Sequence, residues 1–294
     1  MFKPEGIQAS LITPFDAQGN FMEDAYREHL DWLINTGVHG LAVGANTGEF
    51  INMTFEELKT VVLVALDEAK GRIPVSIGAI APGMRTNIEI CEWAKSVGVA
   101  AALVQGPYYL APPLGEDLYD YFRQIGAVGL PMILFNHIHK TKYNLMPEVL
   151  EKLFDIDTFV AMKETDPNME NDTLKLECLQ ANGRNYLMSE EYNLFTHYML
   201  GGAGSFPAAV NVAPEVEVSL WNNVKAGNVK EALEDHRKLC HLGCILNGNN
   251  YPRGIKEGMK FIHHEGGVTR APIGEISQAH KDMIQKELSY IGLI

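Results

Sequence analysis

FDIDTFVAMKETDPN, residues 154–168, carries four apolar residues in a row, Phe159 to Met162, into Lys163 and then turns at once into acidic and turn-forming residues. A short apolar run bounded by turn signals reads as an interior strand. A lysine is therefore delivered to the end of a strand that is otherwise buried, and the placement of that strand among its neighbours decides what the lysine meets.

Outward from this stretch, similar apolar runs recur at 7–12, 40–43, 74–77, 101–105, 131–135, 158–162, 185–187 and, more weakly, 202–205. Amphipathic stretches lie between them. In MEDAYREHLDWLINTG, Ala25, His29, Leu30, Leu33 and Ile34 mark one face at helical spacing. In TFEELKTVVLVALDEAKG, Thr54 and Glu57 form a capping box and Gly71 ends the run. Most strands follow one another at about 25 to 35 residues, the size of one βα unit. Eight such units without a linker predict an α/β fold of the (β/α)8 TIM barrel type over an open doubly wound sheet. From about residue 214 the chain reads as helices only, with asparagine- and glycine-rich loops at 247–252 and 266–272. One helix closes the eighth unit and the rest form a C-terminal helical extension. The expectation is a single domain over 1–294, with the barrel at about 1–230 and the extension at about 231–294.

At 294 residues and 46% hydrophobic composition the chain can bury one full core. Its formal net charge of -13 argues against nucleic acid or an anionic membrane as partners, while leaving room for a local positive pocket. Of the cysteines, Cys240 and Cys244 form a C-x3-C pair, and with Cys91 and Cys178 scattered they read as reduced residues rather than a metal site or disulfide. MFKPEGIQAS has no apolar core of signal length, and no segment reaches about 18 uninterrupted apolar residues. A cytoplasmic protein without a membrane partner is expected.

In a barrel, chemistry gathers where the strands end. Lys163 is the most informative residue there: an amine in apolar surroundings loses hydration of its charged form, so a useful fraction becomes free. A free amine attacks a ketone, and the resulting imine draws electrons from the adjacent carbon, so that a carbon–carbon, carbon–oxygen or carbon–nitrogen bond can break or form. The competing reading is structural, with Lys163 reaching out to solvent or pairing with Glu164. GANTGEF (44–50) offers Thr47 and backbone amides in a tight turn suited to a carboxylate; it is also an ordinary strand-to-helix turn capped by Thr47. It is neither a dinucleotide fingerprint nor a phosphate loop, since G-x-G-x-x-G and the G-K-[ST] ending are missing. GPYYLAPP (106–113) presents Tyr108 and Tyr109, one phenol into the barrel mouth and one outward, for proton transfer or for rim packing. FNHIHKTKY (135–143) contains His137 and His139 without a third ligand of clear spacing, so a metal is not expected. Lys140 leads there as the group that recognises a substrate carboxylate or hydroxyls, against a solvated surface as the alternative.

Taken in order and spacing over almost the full chain, L-I-T-P-F at 11–15, GANTGE, GPYY, A-M-K-E, GAGSFPAAVNVAP and YPRGIKEGMK at 251–260 resemble the pyruvate-type class I aldolase family that includes dihydrodipicolinate synthase and N-acetylneuraminate lyase. The resemblance implies a barrel with a helical extension, assembled as a homotetramer of two tight dimers or as a homodimer, acting on a small 2-oxo acid without metal or organic cofactor. It implies Lys163 as the Schiff-base lysine, and Asn46 and Thr47, with Gly48, around the substrate carboxylate and the proton relay. It also implies Tyr109 as the tyrosine that reaches a neighbouring subunit, and Ser205 and Phe206 as the stretch lining the pyruvate moiety. Three positions depart from the family pattern: Phe135 stands where typical members carry a relay tyrosine, Lys140 falls near an arginine that holds a second carboxylate, and Asn46 replaces a hydroxyl. Phenylalanine neither donates nor accepts, so the proton route is expected through Tyr108, Tyr109, a water or the substrate's own groups. The resulting reading is a Schiff-base lyase that breaks a carbon–carbon or carbon–oxygen bond of a small 2-oxo acid. Its alternatives are a 2-oxo-3-deoxy sugar acid dehydratase, dihydrodipicolinate synthase, and a non-catalytic barrel with a binding or regulatory role.

Overall fold

The computed structural model describes residues 1–109, 115–248 and 250–294. Parallel strands close into a barrel in chain order: β1 (Gly6–Ser10), β2 (Gly40–Val43), β3 (Val75–Ala79), β4 (Ala101–Gln105), β5 (Met132–Asn136), β6 (Phe159–Glu164), β7 (Asn185–Met188) and β8 (Gly204–Ser205). The ring closes where β8 pairs with β1, Gly6 opposite Gly204 and Ile7 opposite Ser205. This is the (β/α)8 TIM barrel that the alternation of strands and helices predicts. All strand residues except Asn185 are buried. Strands covered inside by one another and outside by helices read as continuous apolar runs, and that is what the sequence shows.

Several strand limits differ from expectation by a residue or two, and two of them bear on the site. β1 stops at Ser10 instead of Ile12, because the Ile12 amide donates to the Asn211 side-chain oxygen at 3.2 Å rather than to a neighbouring strand. β6 runs past Met162: Lys163 pairs in register with Phe135 and Leu187, and Glu164 with Asn136 and Met188. Inside the barrel, Ala42, Leu103, Ile133, Ala161, Leu187 and Phe206 pack into one cluster with Phe2 against it. Each fully buried leucine or isoleucine there contributes about 1.5–3 kcal/mol. The interior is thus a packed core, and space for chemistry lies at the end where β6 delivers Lys163.

Helices α1 (Glu23–Thr36), α2 (Phe55–Ala69), α3 (Met84–Ser96), α4 (Glu116–Gly126), the short α5 (Ile138–Thr141) and α6 (Pro147–Leu150), α7 (Met169–Ala181), α8 (Leu194–Met199) and α9 (Pro214–Ala226) follow the strands around the barrel. α1 buries Tyr26, His29, Leu30 and Leu33, with Ala25 and Ile34 half-buried at the edges of that face. The capping box at α2 is present: the Glu57 amide donates to Thr54 Oγ1 at 3.2 Å and the Thr54 amide to Glu57 Oε2 at 2.8 Å. The left-handed turn that ends α2 falls on Lys70, one residue ahead of Gly71.

α10 (Val229–Leu246), α11 (Arg253–Phe261) and α12 (Gln278–Tyr290) form the C-terminal helical extension. It is tied directly to the loop after β2. Buried Lys256 on α11 donates to Glu49 Oε1 at 2.5 Å and to the carbonyls of Thr13 and Val268 at 2.7 Å each. The Arg270 amide donates to the other Glu49 oxygen at 2.9 Å. Removing one partner of a buried ion pair of this kind costs about 3–5 kcal/mol. The clamp holds Glu49 in a left-handed backbone conformation, φ 57°, which a residue with a side chain adopts only when its surroundings fix it. Among the described residues, no helix is long and apolar enough to cross a membrane.

Candidate active site

Successive residues of a strand face opposite sides of the barrel wall. Lys163 faces in and is 5% exposed. Its Nζ lies 4.5 Å from the centre of the Phe135 ring and 5.1 Å from that of Phe206, and donates to Ser10 Oγ at 3.4 Å. Aromatic faces attract a cation by about 0.5–2 kcal/mol, far less than the hydration an ammonium loses. Burial therefore brings the Lys163 amine down to about 8, while the charges of Glu190 and Glu191 pull it part of the way back. At that value roughly one amine in ten is unprotonated at neutral pH.

Glu164, one residue on, faces the helix layer. Its carboxylate accepts from Lys175 Nζ at 2.7 Å, Asn136 Nδ2 at 2.9 Å, the Tyr186 hydroxyl at 3.0 Å and the amides of Thr165 and Asp166 at 2.7 Å each. The structural alternative for Lys163 fails on this geometry: Glu164 pairs with Lys175, and Lys163 is buried rather than extended to solvent.

The turn after β2 begins at Gly44, φ +63°, whose carbonyl packs so close to Gly78 of β3 that a Cβ on Gly78 would collide with it. From there the chain brings buried Thr47 to Tyr251, with 2.5 Å between the two hydroxyl oxygens. The expected role of Gly48 does not fit. Its amide donates to the Ala45 carbonyl at 3.1 Å and its carbonyl accepts from Thr13 Oγ1 at 2.9 Å, so both polar groups shape the turn. The neighbouring amides of Glu49 and Phe50 are likewise spent on backbone carbonyls. The side-chain hydroxyl that this turn brings to the cavity is that of Thr47.

Lys163, Thr47, Asn46, Phe135, Phe206 and Lys140 line one cavity of about 330 Å³, together with Ser10, His137, Ser189, Glu190, Asn247 and Tyr251. Asn46, His137, Lys140 and Tyr251 also border a second space of about 380 Å³, walled further by Phe50, Ile80, Tyr108 and Ile273. Tyr108 is half-buried there and donates to the Ile80 carbonyl at 3.2 Å. Tyr109 is 81% exposed on the outside of the chain; the phenol at Thr47 belongs to Tyr251. Residues 110–113 of the same segment lie outside the described residues. Ser205 also faces away from the cavity, because its Oγ accepts from the Tyr198 hydroxyl at 2.6 Å in the helix layer. Strand alternation then puts the next ring, Phe206, inside, with its carbonyl accepting from Ser10 Oγ at 3.0 Å and Ser189 Oγ at 3.1 Å.

His137 is half-buried, its Nδ1 3.4 Å from Thr165 Oγ1. Burial, with the positive charges of Lys163 and Lys140, holds its ring near 3, so it stays neutral in ordinary buffers. Among the described residues no group of three or more histidines, cysteines and carboxylates could hold a metal ion. Sequence reasoning missed Ser10, Ser189, Glu190, Asn247 and Tyr251. The strand-end rule applied to β1 and β7 finds the first three; Asn247 and Tyr251 come from the loop between α10 and α11, to which that rule does not point.

The sequence profile of the Dihydrodipicolinate synthetase family matches residues 3–291. The chain is 30% identical to the 4-hydroxy-tetrahydrodipicolinate synthase of Methanopyrus kandleri, over 100% of this chain and 98% of that one. It is 28% identical to the enzyme of the same name from Nitrobacter hamburgensis, over 99% and 98%. Among solved structures it is similar to YagE, a prophage protein of the dihydrodipicolinic acid synthase family from E. coli K12 in complex with pyruvate, at 26% identity, a TM-score of 0.94 and 99% coverage of both chains.

Proposed function

Because the chain belongs to the dihydrodipicolinate synthetase family and is a class I, Schiff-base-forming enzyme of the pyruvate aldolase and lyase type, we propose that it joins pyruvate, held as an imine on Lys163, to a short aldehyde acid in the manner of a 4-hydroxy-tetrahydrodipicolinate synthase. The observation that carries this reading is the Lys163 amine: buried between Phe135 and Phe206, turned into the cavity, and partly free at neutral pH. Relatives named as synthases over the full length move the weight from the retro-aldol lyase of the sequence reading to the condensing direction. They also speak against a non-catalytic barrel.

In this proposal the 2-oxo carbon meets Lys163 Nζ while the carboxylate turns to Thr47, whose hydroxyl is held by Tyr251. Water leaves, and the protonated imine makes the adjacent carbon acidic enough to become a nucleophile. Asn46 and the Lys140 ammonium, at the border of the two cavities, meet the far end of the second substrate. The reaction takes place in the cytoplasm, in an assembly of two or four copies that gives exposed Tyr109 a neighbour. A second reading, dehydration of a 2-oxo-3-deoxy sugar acid, is favoured by Phe135, which offers no phenol beside the imine. Borohydride reduction in the presence of pyruvate, followed by peptide mass analysis, is expected to fix an adduct on Lys163. The absence of an adduct there with any 2-oxo acid overturns the imine reading. Pyruvate consumed with aspartate semialdehyde marks the synthase; a semialdehyde formed without pyruvate marks the dehydratase.

A further inference from the structure

We propose that Glu190 is the acid–base group of this site, giving a proton to the oxygen that leaves as the imine forms and taking one from the carbon beside it. The inference rests on the imine reading above and follows from what surrounds Lys163. The two rings nearest its Nζ, Phe135 and Phe206, exchange no protons. The hydroxyls of Ser10 and Ser189 donate to the Phe206 carbonyl, and Thr47 is engaged with Tyr251. Neutral His137 is too weak a base to be protonated and then act as an acid at ordinary pH.

The loop after β7 brings two carboxylates to this place, and they are not equivalent. Glu191 is fully buried and fixed: one of its oxygens accepts from the amides of Ala208 and Ala209 at 2.8 Å each, the other from Asn247 Nδ2 at 3.1 Å. Glu190 is half-buried and lines the cavity with Lys163. β7 pairs with β6 so that Leu187 lies opposite Lys163 and Met188 opposite Glu164, and Glu190 follows two residues beyond Met188, at the end of the neighbouring strand and on the wall of the same cavity. The charged and titratable groups that share its cavity are Lys163 from β6, His137, His139 and Lys140 after β5, and Tyr251; Glu191 and Tyr192 on its own loop, Cys244 from α10 and, through the barrel wall, Glu164 also act on it or feel its charge. Burial and the Glu191 charge push its carboxyl up to about 7, against the Tyr192 hydrogen bond and the Lys163 charge. Both of its forms are then populated near neutral pH, the condition under which one group can both give and take a proton.

The steps balance. The Lys163 amine adds to the ketone carbon and its proton passes to oxygen, giving a carbinolamine. The Glu190 acid protonates that hydroxyl, the carbon–oxygen bond breaks, water leaves, and an iminium faces a carboxylate. The carboxylate removes a proton from the neighbouring carbon, the electron pair moves into the new carbon–carbon double bond, and the enamine stands beside a Glu190 acid again. That acid then supplies the proton an aldehyde oxygen needs when the enamine attacks it.

The test uses the full chain with pyruvate alone. The wild-type protein is expected to exchange the pyruvate methyl protons for deuterium in heavy water, followed by NMR, with a pH dependence that bends near 7. Glu190→Gln is expected to slow exchange about 100-fold or more and to lose that bend, while borohydride still traps an adduct on Lys163. A phenol added at the ring beside Nζ, in Glu190→Gln combined with Phe135→Tyr, is expected to restore exchange about tenfold or more. Should Glu190→Gln fail to fold, Glu190→Asp serves: a retained bend, displaced in pH, supports the proposal, and an unaltered profile overturns it. Exchange within about threefold of wild type in Glu190→Gln, or a wild-type adduct without any exchange, also overturns it. No wild-type adduct at all is instead the failure of the imine reading.

Discussion

Lys163 is a destabilising residue in this fold, and replacing it should show by how much. Lys163→Met keeps the length of the side chain and removes the ammonium. It orphans no partner, because Ser10 Oγ already donates to the Phe206 carbonyl at 3.0 Å. The amine falls from about 10.4 in an unfolded chain to about 8 in the barrel. At about 1.36 kcal/mol per pH unit this is about 3 kcal/mol at pH 7. For 294 residues the entropy of unfolding is about 0.6 kcal/mol per degree, so the variant is expected to melt about 5 °C higher at neutral pH. The sign follows from linkage. A folded-state value below the unfolded one means that the unfolded chain binds more protons between about pH 8 and 10.4, so the penalty is complete below about 8 and fades as pH rises through that window. The advantage of the methionine variant should shrink to about 2 kcal/mol at pH 9 and below about 1 kcal/mol at pH 10. Thermal or denaturant unfolding of both proteins at these three pH values measures it. A variant no more stable than the parent at pH 7, or an advantage that does not change with pH, refutes the claim that burial is what frees the amine.

Lys175→Met acts in the opposite direction. It leaves the fully buried Glu164 carboxylate without its cation, so a loss of about 3–5 kcal/mol and a melting point lower by about 5–8 °C are expected by calorimetry; a change below about 1 kcal/mol shows that the remaining donors suffice. Tyr251→Phe removes the only hydroxyl hydrogen-bonded to Thr47 among the described residues. Deuterium exchange into pyruvate is expected to slow about tenfold to 100-fold with the circular dichroism spectrum unchanged, and unchanged exchange would place the phenol outside the chemistry.

The fold was legible because its signals are local and repeated. Each βα unit announces itself by a change of period from a short apolar run to a 3.6-residue pattern, and the apolar run within β6 gives way to charge at the very residue that matters. The capping box of α2 lies within four residues and could be read directly. What could not be read was where a strand stops once a distant side chain takes over its hydrogen bonds. The apolar run 7–12 does not reveal that Asn211 intercepts Ile12. Likewise the face of α1 centres on Tyr26, a residue whose hydroxyl disguises it as polar.

The site divides in the same way. Lys163, Thr47, Phe135 and Lys140 follow from the rule that strands present their ends to the mouth; extended to β1 and β7, it reaches Ser10, Ser189 and Glu190 as well. Tyr251 obeys no such rule, because 204 residues separate it from the threonine it touches and it arrives from the helical extension. Its arrival is not incidental. The same extension holds Glu49 through Lys256 and the Arg270 amide, and Glu49 is two residues from Thr47 on one tight turn. The helices after the barrel therefore fix the position of that turn and supply the phenol that meets it. The barrel gives the amine its dry surroundings, but the hydroxyl pair that shares the amine's cavity exists only when the extension is packed in place.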